Sequence, residues 1–377
     1  RERDGVWVGW TGAPDDDPGP FRHDDIDLAP VPLSADEIDH YYEKVANEAI
    51  WPLYHDALRP SNYDADAWET ARAVNRRFAE HAAATAAPGA TVWVHDYHLQ
   101  LVPAMLRRMR PDLRIGFFLH IPFPPQELFM RMPWREEVLE GLLGADLLGF
   151  QRQVAAENFI AVARRLLDLE VGPHGVHAPD GRFVRAAAYP ISIDVAEVDR
   201  FARDPAVELL AKQVRERIGN PDTVLLGVDR MDYTKGIEER LSAFRDVIAA
   251  RVPDGVGRER PPLVFIQLAV PSRENVGDYQ QLRNDVEQLV GRINGEFGTL
   301  GHPAVHYLHQ SVPFDELIAL YRAADVMVVT PLRDGMNLVA KEFVASRVDD
   351  TGVLVLSEFA GAVDELGDAV VVNPHDP

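Results

Sequence analysis

The sequence predicts an α/β protein of two doubly wound, Rossmann-like domains facing one another across a cleft. Short, continuously apolar runs alternate with longer helical patterns through almost the whole chain, as parallel strands covered on both faces require. The alternation comes in two series, separated by a helical, charge-rich stretch. The 377 residues also exceed what one compact core usually holds.

Taken in order, the first series of strands is Val6–Trp10, Thr91–His95, Arg114–His120, Asp146–Phe150 and Phe183–Tyr189. Helical patterns over Asp36–Ala49, Ala65–Ala86, Leu99–Met109 and Val154–Asp168 fall between them. The dividing stretch, Asp194–Asn220, ends in the turn signal Gly219-Asn220-Pro221-Asp222, and the boundary is drawn as 1–205 and 206–377. The second series holds strands Thr223–Asp229, Leu263–Ala269, Val305–Leu308, Val326–Thr330, Val353–Leu356 and Ala369–Val372. Its helices are Ile237–Ala250, Asn275–Phe297 and Phe314–Ala324, with another opening after Gly335. Loops Asp15–Pro20 and Arg251–Pro262 read as surface excursions. The chain lacks an initiator Met, and its last strand has no helix after it, so both ends are expected to continue in the native protein.

Composition narrows the function. With 38 Lys+Arg against 60 Asp+Glu the net charge is −22, which argues against a nucleic-acid or anionic-membrane surface. A few placed cations still suffice for a phosphate ligand. Zero cysteines exclude disulfides, thiolate metal sites and Cys nucleophiles, and a cytoplasmic protein is expected. No apolar run approaches the roughly 20 residues of a membrane span, and the start has no signal-peptide layout. The chain also lacks a P-loop and a G-x-G-x-x-G fingerprint, which counts against an ATPase and a nicotinamide or flavin enzyme.

Four segments could carry chemistry. His95-Asp96-Tyr97-His98 follows a strand, where α/β proteins place ligands, although Asp96 could simply cap the next helix. His120, in Phe118-Leu119-His120-Ile121-Pro122, ends the next strand. Arg230 and Lys235, in Asp229-Arg230-Met231-Asp232-Tyr233-Thr234-Lys235-Gly236, join a helix N-terminus into a diphosphate cradle; the alternative is a loop salt-bridged through Asp229 and Asp232. Thr330–Glu342 runs through a Pro-terminated strand and a Gly turn. Asp334 and Glu342 there suit sugar hydroxyls, or serve as a cap and a solvated helix face. Together the last two segments describe a nucleotide-sugar pocket. Tyr42 and Trp51 are either core or a sugar-stacking surface. Arg273 either grips a phosphate or pairs with Glu274.

The chain resembles the trehalose-6-phosphate synthase family, retaining glycosyltransferases of twin-Rossmann, GT-B type architecture. The resemblance rests on His95-Asp96-Tyr97-His98-Leu99, Phe118–Pro124, Leu148-Gly149-Phe150-Gln151, Asp229–Gly236, Gly291-Arg292-Ile293-Asn294-Gly295 and Thr330–Glu342, and it covers nearly the whole chain. It implies transfer of glucose from UDP-glucose or ADP-glucose to glucose-6-phosphate. Arg230 and Lys235 would hold the donor diphosphate. Met336, Asn337, Leu338, Val339, Ala340, Lys341 and Glu342 would line the nucleotide, with Glu342 on the ribose and the Val312 backbone near the base. Asp334 and His120 would contact the transferred glucose. Tyr42, Trp51, Asp96 and Arg273 would form the acceptor pocket, with Arg273 meeting the sugar phosphate. The family's N-terminal loop, with an Arg and a Gly-Gly pair, has no counterpart before the Trp7–Trp10 strand.

The resemblance further implies front-face attack, with the leaving phosphate taking the proton and domain closure excluding water. No metal and no other cofactor is expected, because Arg230, Lys235 and helix-terminal amides stabilise the leaving group. A homo-oligomer is expected. The rival readings are a catalytically silent, synthase-like regulatory subunit and another GT-B transferase acting on sugar phosphates. A fused phosphatase is disfavoured by the lack of a D-x-D-G-T type signature.

Overall fold

The computed structural model describes residues 5–57, 61–251, 262–273 and 277–376. Most of the Arg251–Pro262 loop, and Glu274 with the expected start of the helix at Asn275, lie outside these residues. The chain divides into two compact units, Arg1–Pro190 and Ile191–Pro377.

The first unit is built on a six-stranded sheet. Thr91–His95, Arg114–Leu119, Leu147–Phe150 and Phe183–Ala188 run parallel in that order, and Gly175–His177 and Val171–Gly172 extend the sheet antiparallel. Pairing of His95 with Phe118 brings Asp96 and His120 to the same carboxyl edge. The Val6–Gly9 strand corrects the expectation that it opens this series. It pairs with Ile26–Pro30 in a separate three-stranded sheet that Phe21–His23 completes. Its apolar residues are not covered on both faces, and Trp7 is 60% exposed. The hairpin beside it turns at Asp24 and Asp25, both at positive φ (45° and 62°). Asp tolerates that region without the glycine that usually signals such a turn.

The expected helix after Leu33 also differs. Ser34 and Glu37 form a capping box, the Ser34 hydroxyl accepting from the Glu37 amide at 3.2 Å and the Glu37 carboxylate from the Ser34 amide at 2.9 Å. One α-turn later, Ile38–Ile50 winds as a π-helix, a rare form that is frequent at functional sites.

In the second unit all six strands are parallel. Across the sheet they are Val305–Leu308, Leu263–Val270, Thr223–Arg230, Val326–Val329, Val353–Ser357 and Val370–Val372. In chain order this is 3-2-1-4-5-6, the Rossmann arrangement, whose order reverses between Thr223–Arg230 and Val326–Val329. Successive residues feed opposite cores: Val264, Ile266 and Leu268 pack on one face, Leu263, Phe265 and Ala269 on the other. Double burial explains why these strands read as unbroken apolar runs.

The second unit begins before the expected 205/206 boundary. Val195–Ala202 and Pro205–Arg217 are two helices, separated where Asp204 caps the second and Pro205 occupies its first turn. Val198, Ala202, Val207 and Ala211 belong to the second sheet's core, so the charge-rich stretch is part of that unit rather than a connection to it. Among the described residues, no helix is long and apolar enough to cross a membrane.

Candidate active site

Ligands of a Rossmann sheet bind outside the strand ends at the point of reversal. There the second unit places both of its predicted segments. Arg230 ends the Thr223–Arg230 strand and is exposed. Lys235 is buried one turn on, with Nζ donating to Asp334 Oδ2 at 2.6 Å, so two sequence-distant candidates meet directly. The turn directly after Lys235 is tight. Gly236 has φ 64°, and a Cβ there would lie 2.3 Å from the Thr330 carbonyl oxygen. Only glycine lets the cation loop lie against the Thr330–Asp334 segment.

A buried arginine that sequence reasoning missed ties this corner together. Arg240 donates to Asp229 Oδ2 at 2.5 Å, to Thr330 Oγ1 at 3.0 Å and to the Lys235 carbonyl at 2.9 Å. Gln267 adds hydrogen bonds to both Arg240 and Asp229. Asp229 is thus engaged by Arg240, and Asp232 accepts from the Thr234 amide and hydroxyl at 2.9 and 2.8 Å. Arg240 sits inside an ordinary amphipathic helix pattern, which gave it no signal.

On the other side of the reversal, Asn337 rather than Asp334 caps the helix Leu338–Ser346, accepting from the Ala340 amide at 3.0 Å. Asn337 also donates to Asp334 at 3.3 Å, from a backbone held at φ 135°. Met336 and Ala340 are buried, Leu338 and Val339 half-buried. Lys341 turns away, its ammonium on the Ile191 carbonyl and Glu365 at 2.9 and 2.8 Å. Glu342 is half-buried, and Tyr321 donates to its Oε2 at 2.8 Å. Burial holds the Glu342 carboxyl above its usual range, opposed in part by that hydrogen bond. Val312 is half-buried before the helix that carries Tyr321.

Arg273 has partners within its own unit, and Glu274, its other expected partner, lies outside the described residues. Its guanidinium is buried and pairs with Asp232 at 2.9 Å, while also donating to the Tyr279 hydroxyl. Burial disfavours charge on Asp232, but Arg273, Lys235 and the Thr234 bonds outweigh it and keep the carboxyl below its usual range. Beside this pair, Met231, Ser272, Tyr279, Arg283 and His309 border a cavity of about 420 Å³.

In the first unit the candidates gather at the ends of the first two parallel strands. Asp96 precedes the 3-10 turn Tyr97–Leu99 but makes no side-chain cap hydrogen bond to it. Its backbone is at φ 73° and its Oδ1 accepts from the His120 amide at 3.2 Å. The His95 and His120 rings meet, Nδ1 to Nε2, at 3.1 Å. The π-helix brings Tyr42 onto His98 in a stack at 5.6 Å, while Tyr41 donates to the His98 carbonyl at 3.1 Å. Trp51, 3% exposed, is core, packed on Tyr97 and His55. The turn is held from below by Asn75, which donates to the His98 carbonyl and accepts from the Leu101 amide. Tyr54, through Gln100, holds it as well. Nothing in the sequence distinguished Asn75 or Gln100 from ordinary helix residues. Among the described residues, no group of three or more His, Cys, Asp or Glu could hold a metal ion.

Two Rossmann-like units, one with a cation–carboxylate pair at its point of reversal and the other with a histidine–aspartate–aromatic edge, define a nucleotide-sugar-dependent glycosyltransferase. The chain belongs to glycosyltransferase family 20, whose family model matches residues 1–377. It is 56% identical to the trehalose-6-phosphate synthase of Mycobacterium avium (strain 104), aligning over all of this chain and 78% of that one. It is 54% identical to the synthase of Mycobacterium tuberculosis (strain ATCC 25618 / H37Rv), over all of this chain and 77% of the relative. Among solved structures it resembles the UDP-forming α,α-trehalose-phosphate synthase of Burkholderia xenovorans in complex with glucose-6-phosphate. That match has TM-score 0.90 and 36% identity, covering 99% of this chain and 83% of the other. An E. coli protein bound with UDP-2-fluoro glucose matches at TM-score 0.91 and 36% identity, covering 99% and 82%.

Proposed function

We propose that this chain transfers glucose from a nucleotide-glucose to glucose-6-phosphate with retention, giving α,α-trehalose-6-phosphate. The observation that carries this is the Lys235–Asp334 contact at the reversal of the second sheet, which sets a cation and a carboxylate side by side where a nucleotide-sugar's diphosphate and glucose belong. Arg230 and Lys235 hold the diphosphate. Glu342 offers the ribose its oxygen not engaged by Tyr321, the Leu338 helix amides and the Val312 backbone receive the rest of the nucleotide, and Asp334 and His120 meet the glucose. Tyr42, Asp96 and Arg273 receive glucose-6-phosphate.

In the reaction the bond from the anomeric carbon to the diphosphate oxygen breaks. The acceptor's anomeric oxygen bonds to the same face, and its proton passes to the leaving phosphate. Negative charge grows on the diphosphate as that bond breaks. Arg230, Lys235 and the helix-terminal amides stabilise it, so no divalent metal is required. The UDP-forming Burkholderia synthase and the E. coli protein bound with UDP-2-fluoro glucose support uridine as the donor base. The protein acts in the cytoplasm on small molecules, as a homo-oligomer, without nucleic-acid or membrane partners. Incubation with glucose-6-phosphate and UDP- or ADP-glucose, after exhaustive chelation, should release trehalose-6-phosphate. Absence of that product with either donor, or its dependence on an added divalent ion, would overturn the assignment.

A further inference from the structure

We infer that His95 is a positioning residue for glucosyl transfer, fixing which ring nitrogen of His120 carries the proton. The inference rests on the reading that His120 contacts the transferred glucose. His95 ends the Thr91–His95 strand, and the sheet register sets its ring beside that of His120, with Nδ1 and Nε2 at 3.1 Å and the ring planes 27° apart.

Two neutral imidazoles in contact must divide the roles, one nitrogen donating and the other accepting. If His95 Nδ1 donates, His120 Nε2 accepts and His120 Nδ1 bears the ring's hydrogen. If His120 Nε2 donates, its Nδ1 is a bare acceptor. His95 therefore decides what His120 Nδ1 presents to a sugar hydroxyl. The surroundings keep the pair neutral. His95 lies against Trp7 and Trp93, with centroids at 6.3 and 4.7 Å, and His120 lies against Phe118 at 4.8 Å. Burial pushes both imidazoles below their usual range, and His120 pushes His95 further. The Asp96 carboxylate fixes the His120 backbone through its amide, so the ring's own anchor is His95.

Four variants test this. His120→Phe should lower kcat. His95→Phe keeps a ring between the tryptophans but removes the bond, and should lower kcat roughly 2–12-fold, the equivalent of one neutral hydrogen bond, with KM for glucose-6-phosphate unchanged. His95→Asn, whose amide reaches the Nδ1 place, should recover most of that loss. The His95→Phe/His120→Phe double variant should fall no lower than His120→Phe alone. Should His95→Phe not fold, His95→Gln, whose amide overreaches that place, substitutes for it. Additive losses in the double variant, or equal impairment by Asn and Phe, would overturn the coupling. A wild-type kcat in His120→Phe would instead refute the contact of His120 with glucose.

Discussion

At the strand ends of the first unit, Tyr42 stacks on His98, His95 meets His120, and Tyr41, Tyr54 and Asn75 hold the turn through neutral hydrogen bonds. At the strand ends of the second unit, Arg240–Asp229, Arg273–Asp232 and Lys235–Asp334 form three buried or nearly buried ion pairs. Both edges organise polar groups for a ligand, yet they respond to damage differently. Removing one partner of a neutral bond costs about 1–3 kcal/mol, whereas breaking a buried ion pair costs about 3–5 kcal/mol because the remaining charge has no water. The contrast also suits the proposed ligands: hydroxyls are read by neutral donors and acceptors, a diphosphate by cations held in place.

The strongest way to break this comparison is Arg240→Met. It leaves Asp229 buried beside Gln267 alone, and should destabilise the protein by about 3–5 kcal/mol in urea unfolding. Adding Asp229→Leu should restore much of that loss. A loss below about 1 kcal/mol in the single variant would show that the second unit does not depend on its ion pairs.

Arg273→Ala comes next. Asp232 keeps its Thr234 and Tyr279 bonds, so a smaller loss of about 1.5–3 kcal/mol is expected, read by the same unfolding curve. KM for glucose-6-phosphate should rise while affinity for the nucleoside diphosphate, measured by calorimetry, stays near wild type. Weaker nucleotide binding with an unchanged KM would reverse the assignment of the two cationic sites.

Asn337 gives a sharper test of local geometry. Asn337→Ala loses the cap and meets the φ of 135°, so about 1–2 kcal/mol should be lost. Asn337→Gly accepts that φ and should cost only a few tenths. Equal melting temperatures for the two variants would remove the backbone from the explanation.

The smallest effect is the pH response of the histidine pair. Both imidazoles are held below the usual value of about 6.5, so in acid the unfolded chain binds protons that the folded chain does not. Their stabilising contribution is complete above that value and is lost as pH falls below it. Melting temperatures between pH 7.5 and 5 should fall less in the double Phe variant than in wild type. Identical slopes would mean that the pair titrates as exposed histidines do.

What the sequence determined by itself is whatever a short stretch of chain encodes. Runs such as Leu263–Val270, apolar but for Gln267, announced doubly covered parallel strands, because burial on both faces leaves no polar alternation to see. Arg230, Lys235, Asp334, Asp96 and His120 were legible because each lies at a strand end or in the turn that leads from a strand to a helix, and the family resemblance gave them roles. Tertiary structure decided which of them meet. The Lys235–Asp334 pair depends on strand order, since the two residues follow strands that become neighbours only after a crossover through the two outer strands. Arg240, Gln267 and Asn75 acquire their importance from burial, which converts ordinary helix and strand residues into obligatory partners. The three-stranded sheet around Val6–Gly9, the π-helix and the His95–His120 contact escaped for one reason. Each depends on hydrogen bonds between segments, or on a winding, that a one-dimensional apolar pattern does not specify.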